Sequence, residues 1–212
     1  MNKLAFGILS FTLFLAGCED PAANKTKAVT SEANSNAPAA RQLKGENVPL
    51  TNESSKIEFV GSKVTGKHDG GFKEFSGSID LVNEKPEESQ VVVDIVMSSV
   101  FTHADGLTKH LQTGDFFEVE KYPKASFVST KIAADTAKGA EFFLVTGDLE
   151  LRGVKKTVTF PAKITVNPSE VAVEAEFAIN RKDFGIVYAG KADDLIRDDV
   201  VIKLNLKNQR KK

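Results

Sequence analysis

Apolar and polar residues alternate along most of the chain beyond residue 56, and this alternation is its clearest structural signal. Between residues 170 and 180, for example, every second position is apolar, whereas Glu170, Glu174 and Glu176 occupy intervening positions. A period of two, with one apolar and one polar face, is typical of antiparallel strands that turn one face inward. The pattern predicts eight strands, over residues 56–64, 71–82, 90–97, 124–134, 141–151, 154–166, 170–180 and 199–207.

Short segments rich in turn-forming residues separate the predicted strands, among them Asn83–Pro86, Lys138-Gly139 and Arg152-Gly153. Only the connection between the third and fourth predicted strands, residues 98–123, has a partly helical pattern. Many short strands joined by short turns predict an all-β, antiparallel fold, either a sandwich or a closed barrel, with one short helical excursion.

The first 18 residues have the features of a lipoprotein signal. Lys3 precedes an apolar run from Leu4 to Leu15, which is shorter than the roughly 20 apolar residues of a transmembrane helix. The run Leu15-Ala16-Gly17-Cys18 resembles the lipobox of bacterial lipoproteins, in which the cysteine is acylated and the preceding signal is removed. On this interpretation residues 1–17 are a signal peptide, and Cys18, the only cysteine, carries acyl chains such as palmitate. An ordinary signal peptide with an incidental cysteine is the alternative.

The segment that follows is polar and contains no aromatic residue. Such a segment buries too little apolar area to offset its ordering entropy. Residues 18–55 are therefore predicted to be a lipidated cysteine and a disordered tether, followed by a folded domain over 56–207 and a solvated basic tail over 208–212. With an acyl anchor at its start, the protein would be held at a membrane of the bacterial cell envelope, with its domain in the periplasm.

The charge balance argues against a nucleic-acid partner. The chain has 28 lysines and arginines and 29 aspartates and glutamates, for a formal net charge of −1. No part of the predicted domain is polybasic, so the electrostatic surface that a nucleic-acid-binding domain needs is not indicated.

Three segments resemble the YceI-like family of polyisoprenoid-binding proteins, and they occur in that family's order and spacing. They are residues 98–129, with the adjacent Phe116 and Phe117, residues 146–160 and residues 179–186. The resemblance covers about residues 56–206, which is the whole predicted domain. It implies an eight-stranded, lipocalin-like barrel, a choice that periodicity alone does not make. It also implies that a polyisoprenoid or isoprenoid-quinone-like lipid is held inside the barrel, for storage or transport.

The inward faces of the predicted strands are apolar and rich in phenylalanine. The interior of an eight-stranded barrel is either filled by side chains or holds one small ligand. Composition alone favours a dry core, and hence a ligand-free structural or interaction domain. The family resemblance, and an inward set without charged residues, favour an apolar tunnel. The residues predicted to contact the ligand are Phe59, Phe75, Ile79, Val91, Val93, Ile95, Phe127, Phe143, Val145, Leu149, Phe160 and Phe177.

The polar residues give little support to catalysis or to a metal site. His68, His103 and His110 do not have the spacing of a zinc motif. The chain also lacks a Ser-His-Asp elbow, a P-loop and a dinucleotide fingerprint. Arg181 is predicted either to pair with an acidic neighbour or to meet a ligand headgroup. We therefore expect a binding protein without a cofactor or metal, rather than an enzyme acting on a quinone or lipid.

Overall fold

Strands make up most of the part of the chain that the computed structural model describes, residues 19–33 and 44–210. The strands are β1 (Val29–Glu32), β2 (Glu46–Thr51), β3 (Lys56–Lys63), β4 (Gly66–Phe72), β5 (Phe75–Leu81), β6 (Gln90–Val96), β7 (Val100–Thr102), β8 (Lys124–Ala134), β9 (Phe142–Leu151), β10 (Val154–Val166), β11 (Glu170–Asn180), β12 (Gly190–Lys191), β13 (Asp194–Leu195) and β14 (Asp199–Gln209). One α-helix, α1 (Asp105–Leu111), and 3₁₀ turns at Pro86–Glu88, Met97–Ser99 and Arg181–Phe184 complete the elements.

The main sheet is antiparallel and contains twelve of these strands. Its order is β2-β5-β6-β8-β9-β10-β11-β14-β3-β4-β7, with β1 paired to β10 outside this path, while β12 and β13 form a small separate hairpin. Each long strand carries the predicted alternation, with buried apolar residues on the inner face. The fold is therefore all-β, as predicted.

The two ends of the strand path meet, so the sheet curls round into a barrel. Only Lys73 and Glu74 separate β4, near one end of the path, from β5, near the other. These two residues bond to the junction between β6 and β7, because Lys73 N donates to Ser99 O at 3.1 Å and Val96 N donates to Glu74 O at 3.0 Å. The long strands thereby enclose a common interior.

The prediction of eight strands is wrong in detail, because four further strands join the sheet. The eight predicted strands correspond to β3, β5, β6, β8, β9, β10, β11 and β14, and the additional ones are β1, β2, β4 and β7. The interval between the first and second predicted strands, residues 65–70, lies almost wholly within β4. Gly70 there allows Phe59 to pack closely, since a Cβ at Gly70 would lie 2.5 Å from the Phe59 ring.

Residues 18–55 are not a disordered tether over the parts that the structure describes. Strand β1 pairs with β10, and strand β2 pairs with β5. Val48 and Leu50 of β2 are fully buried. The prediction failed because these segments are stabilised by backbone pairing with strands distant in sequence, which a low apolar content does not exclude. Cys18 and residues 34–43 lie outside the described residues.

Residues 208–210, the described part of the predicted basic tail over 208–212, do not form a solvated tail. Strand β14 extends to Gln209, and Asn208 is buried. Arg210 donates to Glu46 at 2.8 Å and to Glu84 at 2.9 Å, so its charge is held by two carboxylates. The predicted helical excursion is present as α1, between β7 and β8. Across residues 19–33 and 44–210, no helix is both long and apolar enough to cross a bilayer.

Apolar side chains close one end of the barrel, here called the α1 end. It comprises α1, the Arg152-Gly153 turn and residues 181–198. The Arg152 guanidinium joins these parts, because it donates to Gly185 O at 2.7 Å and to Gly114 O at 2.8 Å. Beneath them, Phe59, Val100, Leu111, Phe116 and Ile186 form a buried cluster. The sheet thus forms the wall of the interior, and the connecting segments form its cap.

Candidate ligand-binding cavity

A cavity of about 250 Å³ runs along the interior of the barrel and reaches the α1 end. Its lining side chains are apolar apart from those of Glu58, Arg181 and Arg197, with one glycine, Gly61. Sites of this kind recognise a ligand by shape and apolar contact, and they hold polar groups at few positions. The cavity therefore suits an apolar molecule with at most one polar end.

Nine of the twelve residues that the sequence predicts as ligand contacts line this cavity. They are Phe59, Val91, Val93, Ile95, Phe127, Val145, Leu149, Phe160 and Phe177. They come from six strands on different sides of the barrel, and the curling of the sheet brings them together. The inward parity assigned from the alternation is correct at these positions.

The remaining three predicted residues do not line the main cavity. Phe75 and Phe143 are buried in the surrounding core cluster. Ile79 packs with Val48, Leu81 and Val171 at the end of the barrel opposite α1. It borders a void of only about 20 Å³, which has room for little more than a water molecule. At this end the barrel interior is filled by side chains.

Aromatic rings shape the middle of the cavity. The ring centroids of Phe160 and Phe177 lie 4.1 Å apart with an interplanar angle of 10°, and Phe127 lies 5.8 Å from Phe160. Phe127 can lie flat against β9 because position 147 is glycine, where a Cβ would stand 2.4 Å from its ring. The three rings thus form one continuous apolar surface.

The cap contributes lining residues that sequence reasoning missed. Leu111, Phe116, Phe117, Ile186 and Ile196 face the cavity from α1 and the neighbouring loops. The spacing of these five residues in the sequence matches neither the period of a strand nor that of a long helix, so no regular pattern identifies them. The available signal was the pair of adjacent phenylalanines in an otherwise polar connection, since large apolar side chains in a loop usually cover a core.

Arg181 is buried where the cavity meets the cap, and its guanidinium is held by the protein itself. It donates to the carbonyl oxygens of Arg197 at 3.0 Å, Ile186 at 2.7 Å and Ile196 at 3.3 Å. It also donates to Asp198 Oδ1 at 3.2 Å, the acidic neighbour that one prediction expected. Burial lowers the pKa of Arg181, and the charge of Asp198 partly opposes that shift. Arg181 therefore fixes the backbone of the segment that closes the cavity.

The histidines lie apart from the middle of the cavity. His68 Nδ1 and His103 Nε2 are 3.4 Å apart on β4 and just after β7. Burial, followed by the neighbouring His103 and Lys63, lowers the pKa of His68. His110 Nε2 bonds to Asp115 at 2.8 Å on the surface of the cap. Within the described ranges, no three histidine, cysteine or carboxylate side chains are grouped as metal ligands would be.

The chain is similar in sequence to UPF0312 proteins of other bacteria. The chain is 34% identical over 140 residues to a UPF0312 protein of Pseudomonas putida, an alignment that covers 63% of this chain and 71% of that protein. It is 37% identical over 121 residues to a UPF0312 protein of Photorhabdus laumondii, covering 54% of this chain and 61% of that protein.

Two solved structures share the fold. The crystal structure of Burkholderia cenocepacia BcnA superposes with a TM-score of 0.66 at 25% identity, covering 74% of this chain and 98% of that one. A polyisoprenoid binding domain from Saccharophagus degradans, described as implicated in plant cell wall breakdown, gives a TM-score of 0.62 at 18% identity, covering 79% of this chain and 100% of that one.

The model of the YceI-like domain matches residues 49–208, which extend from within β2 almost to the end of β14. This range contains the long strands of the barrel, α1 and the cavity. The chain belongs to the YceI-like family.

Proposed function

We propose that this protein binds a long apolar lipid, a polyisoprenoid or an isoprenoid-quinone-like molecule, inside the barrel. The observation that carries this proposal is the cavity of about 250 Å³ with its almost wholly apolar lining. Each methylene group that leaves water for such a site contributes about 0.8 kcal/mol, so a branched hydrocarbon chain binds there without hydrogen bonds. The structural neighbour named as a polyisoprenoid binding domain supports this ligand class.

The size of the cavity restricts how the lipid is held. A volume of about 250 Å³ lies just below the roughly 300–1,000 Å³ that is usual for small-molecule sites. The cavity therefore encloses one part of a long chain, and the rest of the chain leaves the barrel. Of the three polar side chains in the lining, Arg181 and Arg197 belong to the cap, and a polar head of the lipid would be met beside them.

Binding, rather than catalysis, is the activity that we propose. General acid–base or nucleophilic chemistry needs hydrogen-bonded titratable groups at the reacting atoms. The described lining presents one carboxylate and two guanidinium groups among apolar side chains. The guanidinium of Arg181 donates hydrogen bonds to three carbonyl oxygens and to Asp198, and it thereby stabilises the cap.

We also propose that the protein stores or carries this lipid in the bacterial cell envelope, attached to a membrane through acyl chains on Cys18. The apolar run Leu4–Leu15 and the lipobox-like Leu15-Ala16-Gly17-Cys18 support the anchor. These residues precede the described part of the chain. Two or more acyl chains hold a protein stably at a membrane, whereas one chain does so only marginally.

Extraction of the purified full chain with organic solvent, followed by mass spectrometry, tests the proposed ligand. We expect a co-purifying lipid whose molecular species differ by whole isoprene units. The same preparation of the Val145→Trp variant is the control, because the indole would occupy the ligand's space. If the folded wild-type protein yields no lipid and takes up none, the protein is a ligand-free structural or interaction domain with a packed core.

A further inference from the structure

The wall of the barrel is interrupted between β10 and β11. Both strands are fully described, and their ladder joins only Lys163–Val166 with Val171–Glu174. From there β10 extends back to Val154 and β11 extends on to Asn180, both towards the α1 end. Continuing the register along the two strands would place Thr159 opposite Ala178, but these two residues are not paired. The strands separate instead, leaving what we call the β10–β11 split.

The N-terminal segment, defined as residues 20–32, lies in this split. Its strand β1 is antiparallel to β10, with Val29 beside Thr159. On the other side it runs parallel to β11, where Ala28 N donates to Ala178 O at 2.8 Å and Ala178 N donates to Thr26 O at 2.9 Å. The segment therefore supplies the missing strand between Thr159 and Ala178, the two positions that the interrupted ladder would have joined.

The cavity lies directly behind the split. Val158 and Phe160 of β10, and Phe177 and Ile179 of β11, border the split and line the cavity. The rings of Phe160 and Phe177 meet each other from the two strands. Ala28 of the N-terminal segment packs against the same core cluster. At this place the wall consists of side chains and one inserted strand, rather than a continuous ladder.

Weak interactions hold the N-terminal segment in place. Its only large apolar side chain, Val29, is 70% exposed, and Ala22 is its buried apolar residue. Its charged contacts are partly exposed pairs: Lys25 with Glu176 at 2.9 Å, Lys27 with Asp199 at 2.5 Å, Asp20 with Arg197 at 3.3 Å, and Glu32 with Lys156. Exposed ion pairs stabilise little, and segments with few buried apolar contacts open at low free energy. The segment is therefore much easier to displace than β10 or β11.

We propose that the β10–β11 split is the portal through which the apolar chain enters and leaves the cavity, and that the N-terminal segment closes it. Displacement of the segment opens the side of the barrel next to Phe160 and Phe177, so a long chain passes sideways rather than being threaded through an end. The part of a long chain that the cavity cannot enclose leaves through the portal while the segment is displaced. This inference rests on the proposed function, to which it adds the path by which the ligand reaches the cavity.

A disulfide that locks the segment tests the portal. Register partners in an antiparallel pair have Cα atoms about 4.5–5.5 Å apart, within the range that a disulfide spans. In the full chain, Val29→Cys with Thr159→Cys ties the segment to β10. Thr146→Cys with Thr159→Cys is the matched control, because these partners tie β9 to β10 and their hydroxyl oxygens are 2.9 Å apart. The single Thr159→Cys variant reveals any pairing with Cys18.

The measurement is the rate at which each protein takes up radiolabelled farnesol, oxidised and after reduction. We expect the oxidised Val29–Thr159 lock to slow uptake by about tenfold or more, equivalent to about 1.4 kcal/mol of opening free energy. Reduction should restore the rate, and the Thr146–Thr159 lock should leave it unchanged. Equal rates in the two oxidised proteins would overturn the portal. Failure of the reduced proteins to bind farnesol at equilibrium would overturn the proposed function and the portal together.

A second variant opens the segment instead of locking it. Lys25→Glu with Lys27→Glu places like charges beside Glu176 and Asp199, so farnesol uptake should accelerate by roughly two- to tenfold. Lys124→Glu is the matched control, since it reverses the charge of one partner in an exposed ion pair, Lys124 with Asp94, that lies away from the split. No acceleration in the double variant, with its fold retained, would contradict the portal even if the disulfide fails to form.

Discussion

The rings of Phe160 and Phe177 stack with their centroids 4.1 Å apart. The ladder between their strands ends at the pair Lys163 and Glu174, three positions away from each ring. Side-chain packing therefore replaces backbone pairing in this part of the barrel wall. The same two rings line the cavity. Stability and ligand binding thus depend on the same residues, and substitutions here should affect both.

Truncation of either ring should strongly destabilise the fold. Phe160→Ala or Phe177→Ala removes one buried ring and with it the stacking contact between the two rings. We therefore expect the free energy of unfolding to fall by about 3–5 kcal/mol. Leu144→Ala is the control, because Leu144 is 41% exposed and its loss should cost about 0.5 kcal/mol or less. Urea titrations measure both values. Phenylalanine variants as stable as the control would mean that the rings are not packed as described.

A large side chain inside the cavity should displace the ligand and leave the fold intact. Val93 and Val145 both line the cavity, so Val93→Trp and Val145→Trp should abolish co-purification of lipid. In a filled core the same changes would instead cost about 1–3 kcal/mol through overpacking. Leu144→Trp, on the outward face next to Val145, should retain the lipid. Solvent extraction together with circular dichroism tests this, and lipid retained by both folded valine variants would contradict it.

Removal of the N-terminal strands should destabilise the domain in two steps. Deletion through Ala33 removes β1 and its pairing with β10, which we expect to cost about 1–2 kcal/mol and to lower Tm by roughly 2–8 °C. Deletion through Thr51 also removes the buried Val48 and Leu50 of β2 and should cost considerably more. Differential scanning calorimetry compares the two. An unchanged Tm after both deletions would restore the interpretation of this region as a dispensable tether.

Acylation should depend on Cys18. The thiol of Cys18 is the only one in the chain available to form a thioether with a lipid. Cys18→Ser should therefore abolish incorporation of a fatty-acid analogue and leave the precursor uncleaved at this position. Metabolic labelling followed by electrophoresis measures both effects. Equal labelling of the serine variant would show that the acyl chain, if any, is attached elsewhere.

Acidification should weaken the fold through His68. Burial, followed by the neighbouring His103 and Lys63, lowers the pKa of His68 below its usual 6.5. The unfolded chain then binds more protons than the folded protein, so this destabilisation is absent well above pH 6.5 and grows as the pH falls through that value. His68→Gln should reduce the loss of stability between about pH 7.5 and 5.5. An unaltered pH profile, measured by urea unfolding, would contradict this assignment.

The alternation alone determined the all-β class, and it identified the inward residues of the long strands correctly at positions such as Val93 and Val145. The turn at Arg152-Gly153 could also be predicted, because its residues favour it locally. These properties depend on neighbours within a few residues, and a period of two leaves a visible pattern wherever one face of a strand is buried.

The tertiary structure alone decided how the barrel is completed and where its cavity lies. Val29 pairs with Thr159 although β1 is polar and exposed, so nothing in its own residues marks it as a strand. Phe116 and Ile186 close the cavity only because the cap folds back over the barrel. Backbone hydrogen bonds form with whichever strand edge lies alongside, and packing depends on contacts between segments far apart in sequence. Neither leaves a periodic pattern in the chain, which is why the inserted strand and the cap could not be predicted.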